Sequence, residues 1–125
     1  MNSLSGCRVL VVEDEVLVAW VLEEMLTELE CKVVGPAARV SQALAMVSAE
    51  EIDLAILDIN LNGQKSYPVA DALTAHGVPF AFSTGYNADS MPDNYRGFPM
   101  LQKPYSQSDL SATLAKLMAL KVPGG

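Results

Sequence analysis

Six polar residues of this 125-residue chain stand directly after short apolar runs. Glu13 and Asp14 follow RVLVV, Asp58 follows LAIL, Ser83 and Thr84 follow VPFAF, and Lys103 follows PMLQ. If those runs are strands that end at one edge of a sheet, three carboxylates, a hydroxyl pair and an ammonium group meet there. Carboxylates so gathered repel one another unless a cation neutralises them. Oxygen ligands of this kind suit Mg²⁺, which keeps several waters and takes one or two protein carboxylates. A lysine and a hydroxyl beside such an ion would complement the charge of a transferring phosphoryl group. One aspartate could then act as nucleophile, forming an acyl phosphate. Singly, each residue is ordinary: an acidic pair opens helices, a lone Asp makes turns, and Lys103-Pro104 is a solvated lysine before a loop. Only their coincidence at strand ends points to chemistry.

The runs do read as strands. Residues 7–12 (CRVLVV) and 53–57 (DLAIL) are nearly continuous apolar stretches, as expected for strands buried on both faces of a parallel sheet. Residues 32–35, 78–83 and 99–102 give three more. Between them the pattern changes to helical spacing. Residues 15–29 place Val18, Leu22, Met25 and Leu29 on one stripe, and Val40, Ala43, Leu44 and Val47 form a second helix. Pro68 suits the first turn of a third helix that closes at Gly77. Residues 87–97 hold Pro92, Gly97 and several Asn, Asp and Ser, so the fourth helix is expected to be irregular. Ser106, with Asp109 as capping-box partner, opens the last helix through Leu110, Leu114 and Leu117.

Five strands alternating with helices imply right-handed βαβ units, hence an α/β fold with a doubly wound five-stranded parallel sheet. Ligands in such folds bind at the carboxyl ends of the strands. One domain is expected over residues 7–121, with short tails at 1–6 and 122–125.

Composition narrows the partners. The net charge is −7, with 15 acidic residues against 8 basic ones, which disfavours nucleic acid and anionic membrane surfaces. No apolar run is long enough for membrane insertion. Cys7 and Cys31 are isolated thiols, expected to be buried and reduced, and no secretion signal is visible; a cytoplasmic location is expected.

The stretches VLVVEDE (residues 9–15), LAILDINLNG (54–63), FSTGY (82–86) and LQKPY (101–105) resemble, in this order and spacing, the response-regulator receiver family of two-component signalling. The resemblance covers about residues 8–120 and implies a flavodoxin-like fold. It also implies that Asp58 is the phosphoacceptor, that Glu13, Asp14 and Asp58 hold Mg²⁺ with the backbone carbonyl of Asn60, and that Thr84 and Lys103 contact the phosphoryl group. The Lys103–Pro104 peptide is cis in this family. FSTGY further resembles the FAT GUY subset, in which Ser83 replaces an Ala. Where most receivers carry a switch aromatic, this chain has Met100, which makes Thr84, Gly85, Tyr86 and Met100 the candidate switch residues.

The expected function is therefore a stand-alone response regulator, a phosphoacceptor rather than an enzyme, with slow self-dephosphorylation. Its partners would be a histidine kinase or phosphotransfer protein upstream and an unknown downstream protein. The alternative is a phosphate sink or phosphorelay intermediate that passes the group to a histidine phosphotransfer protein. An aspartyl phosphatase fits less well, because the first strand is not followed by a DxD motif. His76, the single histidine, sits at a helix end. Trp20, off the main stripe of the first helix, is expected to be partly buried; kinases of this system commonly grip that helix.

Overall fold

A computed structural model describes residues 4–85 and 91–120. Five parallel strands form the main sheet: β1 (Arg8–Val12), β2 (Lys32–Ala37), β3 (Leu54–Asp58), β6 (Phe80–Thr84) and β7 (Met100–Gln102), in the order β2-β1-β3-β6-β7. A two-stranded hairpin, β4 (Asn60–Leu61) and β5 (Gln64–Lys65), is inserted after β3. The helices are α1 (Val16–Glu28), α2 (Val40–Ala49), α3 (Tyr67–Ala75) and α4 (Gln107–Leu120). Strand order reverses between β1 and β3, the place where doubly wound sheets bind ligands.

Strand alternation divides the core into two halves. Leu10, Val12, Ala55, Leu57, Phe80 and Phe82 face α2 and α3, where they meet Val40, Ala43, Val47, Val69, Ala70 and Leu73. The intervening Val9, Val11, Leu54, Ile56, Ala81 and Leu101 face α1 and α4, against Leu22, Leu26, Leu110, Leu114 and Leu117. Each fully buried leucine contributes about 1.5–3 kcal/mol relative to exposure. Leu4, in the stretch expected to be a tail, is only 3% exposed and packs into the second half-core. The folded unit therefore starts before Cys7.

The buried line of α1 is Ala19, Leu22 and Leu26, turned slightly from the expected stripe, with Val18 and Met25 only half-buried. Val16, Leu17, Trp20 and Val21 are exposed instead, and Trp20, expected to be partly covered, is 57% exposed. Seven consecutive apolar residues, 16–22, open this helix, so the sequence pattern there leaves its rotation undetermined. Between β6 and β7 the described residues form a single 3₁₀ turn, Asp93–Tyr95, rather than an α-helix.

Candidate functional site

Each strand end delivers one part of the site. Glu13 and Asp14 follow β1, and the Glu13 N–H donates to the Ala37 carbonyl at 2.9 Å, which anchors the turn to β2. Asp58 closes β3, in register with Ser83 of β6. Ligand oxygens of Glu13, Asp14 and Asp58 all lie within 4.8 Å of one another. Lys103, just past β7, donates from Nζ to Glu13 Oε1 at 2.6 Å and to Asp58 Oδ2 at 3.3 Å. Its own N–H donates to the Thr84 carbonyl at 2.8 Å, holding β7 to the end of β6. The Lys103–Pro104 peptide is cis.

Backbone and side-chain donors fix the carboxylates. The Glu15 N–H donates to Glu13 Oε2 at 3.1 Å, and the Asn62 N–H at the hairpin tip donates to Asp14 Oδ2 at 3.0 Å. Asn62 and Gly63 have φ of +52° and +83°, as the tight turn of a two-residue hairpin requires. The Ser66 hydroxyl, fully buried, donates to the backbone carbonyl of Asp58. Hairpin and Ser66 together close the loop after β3 over the site. The sequence reading missed both: Asn-Gly is a hairpin signal, but the flanking strands are only two residues long.

The electrostatics are those of crowded charge in a dry place. Glu13 is 4% and Asp58 8% exposed. Burial pushes the Glu13 carboxyl up to about 7; the Lys103 contact pulls it down, Asp58 pushes it up again, and the Glu15 N–H pulls it down. Burial works against the charge on Lys103, but its bonds to Glu13 and Asp58 outweigh that and raise its pKa. One lysine faces three carboxylates, so a divalent cation would relieve an excess of negative charge.

The remaining candidates divide. Thr84 is buried at the end of β6 on the Phe82 side, and Gly85 lies in an exposed bend. Asn60 opens β4 and lines the cleft with Asp14, Asp58 and Thr84. Met100 pairs with Phe82 and is half-buried in the α2–α3 half-core, with Phe98 beside it. Tyr86 lies outside the described residues. Around Phe82 stand aromatic rings that sequence reasoning did not single out: Tyr67 stacks on Tyr95 with centroids 4.4 Å apart, and Tyr95 donates to Asp71 Oδ1 at 2.8 Å. No spacing signal could have paired them, because the residues come from α3 and the 3₁₀ turn.

Known proteins match along most of the chain. The family model described as response regulator receiver domain matches residues 9–115. The transcriptional regulatory protein PdtaR of Mycobacterium tuberculosis is 29% identical over 107 residues, covering 82% of this chain and 52% of its own length. The chain thus spans about half the length of the curated relatives it matches. The solution structure of SdrG from Sphingomonas melonis Fr1 superposes with a TM-score of 0.82 at 45% identity, covering 90% of this chain and 97% of that one. The BeF3-activated conformation of SdrG gives a TM-score of 0.80 at 44% identity, covering 94% and 99%.

Proposed function

Because the chain belongs to the response regulator receiver family, we propose that Asp58 accepts a phosphoryl group from a histidine kinase or phosphotransfer protein. The observation that carries this reading is the bridge from Lys103 to both Glu13 and Asp58, with Asp14 alongside. An Asp58 carboxylate oxygen attacks phosphorus, the phosphorus–nitrogen bond of the donor breaks, and the imidazole nitrogen keeps the bond's electron pair. Lys103 holds the acceptor carboxylate in place and offers its ammonium to the developing charge. Thr84, at the end of the neighbouring strand, offers a hydroxyl to the transferred group. Glu13 and Asp14, Asp58 itself and the Asn60 carbonyl would hold Mg²⁺. When bound, that ion supplies charge neutralisation for the carboxylates and the incoming phosphoryl group.

The chain is a signalling domain, not a catalyst with a turned-over substrate. The acyl phosphate is expected to hydrolyse slowly, and the signal to leave through altered protein–protein binding near Thr84, Gly85 and Met100. The unit acts as one receiver domain, from Leu4 to the end of α4, with cytoplasmic partners.

A small radiolabelled acyl-phosphate donor tests the reading. Wild-type protein should label in the presence of Mg²⁺ and fail to label when EDTA is present from the start, and Asp58→Asn should not label. Equal labelling of both proteins would refute Asp58 as acceptor.

A further inference from the structure

Two buried side-chain oxygens among the described residues lack a hydrogen-bond partner, Ser83 Oγ and Gln107 Oε1. Gln107 still donates from Nε2 to the Met25 carbonyl at 3.0 Å. Ser83 has no such compensation and is 2% exposed. A buried hydroxyl left unpaired carries its full desolvation penalty, which makes it worth asking what it is kept for.

Its place in the sheet supplies an answer. Ser83 lies between Asp58 of β3 and Leu101 of β7 in the strand register. By alternation it continues the face of Ala81, the same face on which Asp58 follows Ile56 and Lys103 follows Leu101. Tyr105 packs against that face from the stretch that leads into α4. Burial is the largest influence on its hydroxyl and pushes its pKa up; the approach of the Ser83 hydroxyl and the Lys103 charge pull it down, and Glu13 and Asp58 push it up. That approach brings the two hydroxyls towards one another but falls short of hydrogen-bond distance and angle, so Ser83 Oγ is left without a partner.

We propose that Tyr105 and Ser83 are a positioning pair for the acceptor site, with the Tyr105 hydroxyl closing onto Ser83 Oγ when Asp58 carries a phosphoryl group. The proposal rests on the assignment of Asp58 as acceptor. The acyl phosphate carries about −1.5 to −2 charge where the Asp58 carboxylate carried one negative charge, and it draws the Lys103 ammonium towards the new oxygens. Tyr105 follows Lys103 across Pro104, whose ring fixes φ, so a shift at Lys103 is passed on rather than absorbed. The next residue, Ser106, caps α4. Closure of the pair therefore holds Lys103 against the phosphoryl group and sets the start of α4 by the same contact. Met100 fills the usual aromatic place without a ring, and this pair would give the chain an aromatic response on the opposite face of the sheet.

Beryllofluoride with Mg²⁺, a phosphoryl mimic that takes SdrG to its activated conformation, tests this directly. Affinity is measured for wild type, Ser83→Ala, Tyr105→Phe, the double variant and Asp58→Asn, together with the melting temperature of each unliganded protein. Each single change should weaken beryllofluoride binding about fivefold, and the double should be no weaker than either single, because one hydrogen bond is being removed. Unliganded Ser83→Ala should melt at the wild-type temperature or above, since it deletes an orphaned group. Failure of wild type to bind beryllofluoride would overturn the acceptor assignment and the pair with it. Normal binding, lost in Asp58→Asn but unchanged in the single variants or multiplicatively weakened in the double, would overturn the pair alone. A lowered melting temperature for unliganded Ser83→Ala would mean the hydroxyl is already partnered, by a water for instance, and would also overturn it.

Discussion

Glu13 sits in a chemical state that its type does not suggest. An exposed glutamate is fully ionised at neutral pH, whereas burial, partly offset by Lys103, brings this one up to about 7. Its folded pKa lies above the ordinary glutamate value of 4.5, so the folded state holds the proton more tightly than the unfolded chain. The stabilising contribution is therefore complete below about 4.5 and is lost as pH rises through about 7. Under the proposed assignment of Glu13 to Mg²⁺, cation binding needs the ionised form and would displace that proton. Calorimetric titration with Mg²⁺ in two buffers of different ionisation enthalpy should show proton release at about pH 6 that vanishes by about pH 8.5. Equal heats in the two buffers at about pH 6 would contradict the picture. The sequence alone marked Glu13, Asp58 and Lys103, because a charged residue that ends an apolar run is conspicuous. It gave no sign of Ser66, Asn62 or Tyr105, whose parts depend on which neighbour the fold brings within reach.

At the scale of elements, α4 opens on a reciprocal pair of side-chain caps. The Ser106 N–H donates to Asp109 Oδ2 at 3.0 Å, and the Asp109 N–H donates to Ser106 Oγ at 3.1 Å. No side-chain cap holds α1, α2 or α3. Replacing Ser106 by Ala should cost about 1 kcal/mol of unfolding free energy in urea titration. A change within experimental error would show that packing of Leu110, Leu114 and Leu117 alone sets the start of this helix. This cap was legible from residue types, since its signature spans four neighbouring positions. So were all five main strands and the irregular stretch around Pro92. The rotation of α1 was not, because a run of apolar residues without a polar face gives periodicity nothing to choose between. The hairpin of β4 and β5 was hidden for a different reason: pairs of two residues are held by their loop rather than by any pattern of their own.

The whole molecule combines an acidic composition, net charge −7, with an exposed apolar strip on α1, made by Val16, Leu17, Trp20 and Val21. Trp20 is the single tryptophan of the chain. The receiver therefore carries a built-in lamp on its outer surface, with no second indole in the core to mask it. Its emission should peak near that of indole in water, and neutral acrylamide should quench it readily. Glu23 and Glu24 stand one turn further along the same helix, so iodide should quench less than caesium at low salt, with the gap closing as salt screens the field. Equal quenching by the two ions would mean that the acidic side chains do not govern access to the indole. Any protein that settles on α1 must dim that quenching and shift the emission to the blue, so docking can be followed on unlabelled protein.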